Sequence, residues 1–313
     1  MSEVLRRLGA KAAGFFVIFF VACFPLSSNA GTMVRVSTTI GDFSIELLDD
    51  IAPITVQNFL NYVNRNDYNG TYFHRVVDNF VAQGGAYRFQ SFVGPIDVPT
   101  DAPIANEFNV SNTRGTVAMA KLDGDPNSAT NQWYVNISDN TNLDTLNGGF
   151  TVFGNVLGAG MDLVDEIDNL PFINLGLKAS EAPYVTAAYS SPLDFLYMNV
   201  EVVERLSAAP HVFEVNSGLL ITSVDVDNGS ELVSMNFNTI AAGDDVVIQA
   251  NLESVIPRRG PVDGIATFST SDNRLRIPSL EVSTNGQVSL VSNVVFALTK
   301  TSPVQFTLES YQQ

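Results

Sequence analysis

The 313-residue chain has one cysteine, Cys23, and two histidines, His74 and His211. A lone thiol closes no disulfide within the chain and builds no thiolate metal site. The two histidines stand outside any H-x-x-x-H spacing, so paired zinc ligands are not expected. No G-x-S-x-G elbow accompanies them, which argues against a serine hydrolase. No glycine-rich loop links a strand to a helix in the manner of a phosphate cradle. No metal or cofactor is therefore expected. Positive charge is scarce as well: 16 Lys and Arg face 33 Asp and Glu, for a formal net charge of −17. Nucleic acid is excluded as a partner, because phosphate binding needs clustered cations. The excess of one sign suits a soluble chain that repels its own copies.

Long apolar runs are also missing. The stretch Ala12–Leu26 is apolar but shorter than the roughly 20 residues that a membrane-spanning helix needs. Arg6, Arg7 and Lys11 precede it, and Ser28-Asn29-Ala30 follows with small residues where a signal peptidase cuts. Residues 1–30 are read as a signal peptide, with export to the periplasm and a mature chain free of thiols. The rival reading is a lipid anchor: "FVAC" (Phe20–Cys23) resembles a lipoprotein processing site, although Phe20 stands where leucine is usual.

What is present is a hydrophobic fraction of 45% and 22 glycines, enough for two cored domains rich in strands. Val34 and Val36, then Phe43, Ile45 and Leu47, alternate with polar residues about a glycine turn, which predicts a hairpin. Pro53 opens a helix with Val56, Phe59, Leu60 and Val63 on one face. Strands are expected at "YFHRVV", "FVAQGG", "GTVAMA", "QWYVNI" and "FTVFGNV". A second helix over "GMDLVDEIDNL" and a last strand "FLYMNVEVVERL" follow. Beyond Ala208 only strands and turns are expected, and the segment contains a duplication. "LLITSVDV" (Leu219–Val226) matches "LRIPSLEV" (Leu275–Val282), and "IQANLES" (Ile248–Ser254) matches "VQFTLES" (Val304–Ser310). The expected fold is mainly β: a closed antiparallel eight-stranded barrel capped by two helices over 31–206, then a smaller all-β module over 207–313. That module comprises two repeats, about 211–254 and 265–310.

One stretch concentrates unusual residues. "YFHRVVDNFVAQGG" (Tyr72–Gly85) sets His74 and Arg75 among aromatic and aliphatic side chains and ends on two glycines. It resembles the signature of the cyclophilin family of peptidyl-prolyl cis–trans isomerases. The resemblance continues in order through "NEF" (Asn106–Phe108), "NTRGTVAMAK" (Asn112–Lys121), "SATNQWYVN" (Ser128–Asn136), Leu143-Asp144 and "FTVFGNV" (Phe150–Val156). The spacing from Met119 to Gln132 is that of the bacterial exported branch.

The resemblance implies a cyclophilin-like barrel and chemistry that needs neither nucleophile nor metal. The bond before proline prefers trans by only about 0.5–1 kcal/mol, yet its barrier is roughly 18–20 kcal/mol. A catalyst must bind the twisted amide better than either planar form. By resemblance, Arg75 is the catalytic guanidinium, and Phe80, Val81, Tyr134, Leu143 and Phe150 form the proline pocket. Gln83 and Gln132 orient Arg75 and the peptide carbonyl, Ala120 and Lys121 flank the groove with their backbone, and His74 supports it. In isolation Arg75 would read as an exposed strand arginine and the glutamines as surface residues. Val81 replaces a common methionine, and Trp133-Tyr134 replaces a Phe-Phe pair, which predicts a hydroxyl at the rim of the proline site. Asn142 stands where many members carry tryptophan or phenylalanine, which argues against strong cyclosporin binding. Phe150 stands where eukaryotic members often have histidine, so that wall is apolar.

The substrates implied are proline-containing segments of unfolded or folding proteins. The alternative is a cyclophilin scaffold with little turnover that binds through its groove or through the β module. "DVDNGSE" (Asp225–Glu231) reads as a solvated hairpin turn in preference to a calcium loop, since its counterpart "EVSTNGQ" keeps one carboxylate. Exposed strand edges leave partner binding or self-association through the module open.

Overall fold

A computed structural model describes residues 31–243 and 245–313; the expected signal peptide and Cys23 lie outside the described residues. The expected hairpin is β1 (Met33–Thr38) with β2 (Asp42–Leu47), paired antiparallel and closed by Thr38 N–H on Gly41 O at 2.8 Å. Helix α1 (Pro53–Asn64) begins with proline at its first turn, and buries Val56, Phe59 and Val63 while Leu60 packs at the margin. Its N-cap, Ala52, has no side-chain oxygen to offer. The cap comes from Glu107, whose carboxylate accepts Ile54 N–H at 3.1 Å and Thr55 N–H at 2.7 Å. Orphan amides of the first turn are thus satisfied, and by an anion at the positive end of the helix.

The chain continues through β3 (Thr71–Tyr72), β4 (Arg75–Val77), β5 (Val81–Gly84), β6 (Tyr87–Gln90) and β7 (Gly94–Asp97). Then come β8 (Thr116–Met119), β9 (Trp133–Asn136), β10 (Val152–Val156) and helix α2 (Gly160–Asp168). The expected strand "YFHRVV" is interrupted at Phe73-His74, which separates β3 from β4. A short β11 (Phe172–Ile173) pairs with β12 (Ala182–Pro183), and β13 (Tyr197–Val203) returns to pair with β1. The sheet order is β4-β5-β9-β8-β10-β2-β1-β13-β3-β6-β7. Because Phe73 N–H donates to Leu196 O and His74 N–H to Gln83 O, residues 71–77 act as one bent strand that closes the sheet on itself. Eight strands form the barrel, and the β6–β7 hairpin hangs from its edge.

The interior is aromatic. Trp133 is fully buried, and Phe59 and Phe73 meet it edge-on with centroids 6.0 Å away. The paired glycines of the signature make this possible. A Cβ on Gly84 would lie 2.2 Å from Met198 Cε, and one on Gly85 would lie 2.6 Å from Asn131 O. Gly85 also has φ +86°, a conformation only glycine adopts freely.

The second unit runs β14 (Val212–Glu214), β15 (Leu219–Val226), β16 (Glu231–Ile240), β17 (Val247–Pro257), β18 (Ala266–Ser269), β19 (Arg274–Thr284), β20 (Gln287–Thr301) and β21 (Val304–Gln312). The matched sequence segments occupy β15 and β19, and β17 and β21. Each copy is an antiparallel meander, and the copies join at β17–β21. The other seam is filled reciprocally: β14 pairs parallel to β19, and β18 parallel to β15. The sheet therefore closes around Phe213, Leu220, Phe237, Ile277, Phe296 and Phe306. Asp225 and Asp227 serve the turn after β15, accepting from Gly229 N–H and from Thr270 N–H and hydroxyl respectively.

The two barrels meet through apolar contacts, Val203 and Met33 with Leu219 and Ile221 and Ile256 with Tyr72 and Tyr197, and through polar groups. Asn199 donates to Ser254 O at 2.6 Å, Arg259 N–H donates to Thr39 O at 2.6 Å, and Glu201 accepts from Asn69 and Asn236 together.

Candidate active site

Strand alternation puts a row of residues on the outer face of the first barrel. Arg75 pairs directly with Gln83, Gln83 with Tyr134, Tyr134 with Ala118, and Ala118 with Val152. Directly opposed residues share a face, so this row crosses five strands while Val76, Ala82, Val117 and Val135 point into the core. The apolar members of the row cluster with Val81, Leu143, Phe80, Ala120 and Phe150. All five expected pocket residues thus come together.

Arg75 lies at one end of this patch, 5.9 Å from the Phe80 ring centroid. Its Nη1 donates to Gln83 Oε1 at 3.3 Å, and Gln83 Nε2 donates to Gln132 Oε1 at 2.8 Å. Arg75 is thus a cation at the border of an apolar patch, 34% exposed.

His74 sits behind the site. It is buried, and its ring meets Tyr87 edge-on at 4.9 Å. Burial, with the charge of Arg75, lowers its pKa to about 4, so it is neutral at ordinary pH and offers no proton to a substrate. A side-chain hydrogen bond with Gln132 opposes that shift, and His74 Nδ1 has no hydrogen-bond partner among the described residues.

Two expectations need correction. The Tyr134 hydroxyl does not reach the rim: the side chain is buried and its hydroxyl donates inward to Asn112 Oδ1 at 3.0 Å. Lys121 flanks the patch with more than backbone. Its ammonium donates to Asn147 O at 2.8 Å and Gly149 O at 2.6 Å and lies 4.7 Å from the Phe150 ring centroid.

Three supporting residues were not foreseen. Asp144 accepts from Ser111, from Asn112 N–H at 2.8 Å and from the Asn112 amide, and Asn112 in turn donates to Phe150 O at 3.0 Å. This knot ties the Leu143 and Phe150 walls together, and Asn112 and Asp144 lay within recognised blocks without any local sign of their purpose. The third is Glu181, whose Oε2 lies 3.5 Å from Arg75 Nε. It sits in a segment that matched no block, so no sequence pattern marked it.

A basic side chain bordering an apolar patch is suited to binding a segment that presents both an apolar group and a hydrogen-bond acceptor. Comparison with known proteins narrows this. The family described as cyclophilin type peptidyl-prolyl cis-trans isomerase/CLD matches residues 33–185. A peptidyl-prolyl cis-trans isomerase of Acinetobacter baylyi is 44% identical over 152 residues, spanning 47% of this chain and 78% of that one. Isomerase B of Escherichia coli is 44% identical over 142 residues, covering 43% and 83%, and isomerase A of Dickeya dadantii is 36% identical over 170, covering 53% and 86%. A crystal structure of a Cryptosporidium parvum cyclophilin-type isomerase aligns with a TM-score of 0.43 at 22% identity, covering 56% of this chain and 99% of that one. The chain belongs to the cyclophilin-type peptidyl-prolyl cis–trans isomerase family. Its activity is rotation of the peptide bond that precedes proline.

Proposed function

We propose that Arg75 is the catalytic guanidinium and that the patch formed by Phe80, Val81, Tyr134, Leu143 and Phe150 holds the proline ring. As the amide twists, its nitrogen recovers a lone pair, and a fixed donor can stabilise that nitrogen only in the twisted state. Arginine suits this role because its planar fork carries several donors and stays charged. The observation that carries the reading is the chain of hydrogen bonds from Arg75 through Gln83 to Gln132 along the border of the apolar patch. His74, Ala120 and Lys121 then act as supports of the groove and not as reacting groups.

In this reading the mature protein begins after Ala30 and acts in the periplasm on proline-containing segments of unfolded or folding proteins. The basic, apolar and small-residue sequence of the leader supports export, and the scarcity of cations supports a partner other than nucleic acid. Residues 31–206 form the isomerase domain and 207–313 a module open to a partner or to self-association.

A proline-peptide isomerisation assay tests the site. Arg75→Ala is expected to lower kcat/KM about 100-fold or more, the scale for removal of one transition-state donor. An unchanged rate in that variant would remove Arg75 from the chemistry. Mass measurement of the protein recovered from intact cells tests export: a chain beginning at Gly31 is expected, and a lipid on Cys23 would replace that reading.

A further inference from the structure

The segment between α2 and β13 is laid against the catalytic strand by its backbone. Val76 N–H donates to Glu181 O at 2.9 Å, Glu181 N–H donates to His74 O at 3.4 Å, and Arg75 and Glu181 are partners in a parallel bridge. Paired residues project to the same side, so the Glu181 carboxylate lies alongside the Arg75 guanidinium, with Oε2 3.5 Å from Nε.

The segment is well anchored at this point. Ala179 and Ala182 on either side of Glu181 are buried against Tyr72 and Phe195, and the Tyr72 hydroxyl donates to Lys178 O at 2.8 Å.

The guanidinium is thereby held on two edges. Nε faces Glu181, Nη1 is bound to Gln83, and Nη2 has no hydrogen-bond partner among the described residues. An arginine side chain has many rotamers, and each one not directed at the substrate dilutes its contribution to the transition state. A carboxylate beside a second nitrogen narrows the orientations of the guanidinium plane that the single 3.3 Å hydrogen bond at Nη1 leaves open.

We propose that Glu181 is a positioning residue of the isomerase site: its carboxylate fixes the Arg75 fork so that the Nη2 edge faces the prolyl amide. This rests on the reading of Arg75 as the catalytic group. The pair is about one-third exposed on each side, 34% and 35%, so its loss should cost little stability and should appear in kcat.

The test compares Glu181→Gln, Glu181→Asp and Arg75→Ala with the full-length protein in steady-state isomerisation, together with thermal unfolding and the NMR signal of the Arg75 Nε–H group. Glu181→Gln is expected to lower kcat about 5-fold with KM within about twofold, the size of one exposed ion pair. The Nε–H resonance should move in the same variant, unfolding temperature should hold, and Glu181→Asp should restore part of kcat. If Arg75→Ala abolishes catalysis while Glu181→Gln turns over like the parent, positioning fails and the site reading stands. A change confined to KM, or a lower unfolding temperature accounting for the loss, also overturns it. If Arg75→Ala retains the full rate, the underlying site reading itself fails.

Discussion

Arg258, just past the end of β17, donates through Nη1 to Asp42 Oδ1 at 2.7 Å, joining the second barrel to the first hairpin. Asp42 also receives Arg35 through its other oxygen. Burial would raise the Asp42 carboxyl, but the two guanidinium groups outweigh it and hold the pKa below the usual carboxylate range.

Removing Asp42 leaves Arg35, which is 3% exposed, without the one ionic partner it has among the described residues. Asp42→Ala is therefore expected to destabilise the protein by about 3–5 kcal/mol, the usual penalty for an uncompensated buried charge. Arg258→Ala leaves Arg35 and Asp42 paired and should cost less, about 1.5–3 kcal/mol. Urea unfolding of both variants checks the order, and equal losses would contradict it.

Glu201, between the barrels, has a pKa raised to about 7 by burial, against opposing hydrogen bonds from Asn69 and Asn236. A carboxyl that holds its proton more tightly when folded contributes stability that is complete below the unfolded value of 4.5 and lost as pH rises through about 7. His74 acts oppositely. With a folded pKa of about 4 against 6.5 unfolded, it lowers stability as pH falls across that range. The difference in unfolding free energy between Glu201→Gln and the parent isolates the glutamate. That difference should grow by about 3 kcal/mol in the variant's favour from pH 4.5 to pH 8. A pH-independent difference would show that Glu201 ionises normally.

The signature glycines should differ in tolerance. Gly85→Ala meets backbone oxygen at 2.6 Å and an unfavourable φ, and is expected to cost more than about 2 kcal/mol. Gly84→Ala meets only the flexible end of Met198 and should cost less. Thermal unfolding of the two variants decides, and the reverse order would refute the packing argument.

Lys121→Met keeps the stem over the patch but loses the donors to Asn147 O and Gly149 O. Because Phe150 follows that segment, KM for proline peptides should rise about 5-fold, the scale of one lost hydrogen bond, with kcat little changed. A kcat effect without a KM change would place Lys121 in the chemistry instead.

The pocket residues came from the family resemblance, whereas the row from Arg75 to Val152 emerged only from the register of five paired strands. Helix α1 was legible from Pro53 and its apolar stripe, but its cap was not, since Glu107 lies 53 positions from Ile54. The break at Phe73-His74 was invisible because it depends on which strands the two halves meet. The Tyr134 hydroxyl was misplaced for a similar reason: its direction is set by Asn112 in a neighbouring segment. In the second unit the duplication was readable, but the crossing of β14 to β19 and β18 to β15 was not.

Local chemistry along the chain therefore determined the strand-rich class and the family blocks, and resemblance through those blocks singled out Arg75 as the proposed guanidinium. The folded arrangement alone decided what holds that guanidinium, since Glu181 reaches it through a backbone bridge that no local pattern encodes. The reason is physical: alternation and turn preference act between neighbours in sequence, whereas ion pairs and caps act between groups that meet only after the barrel has closed.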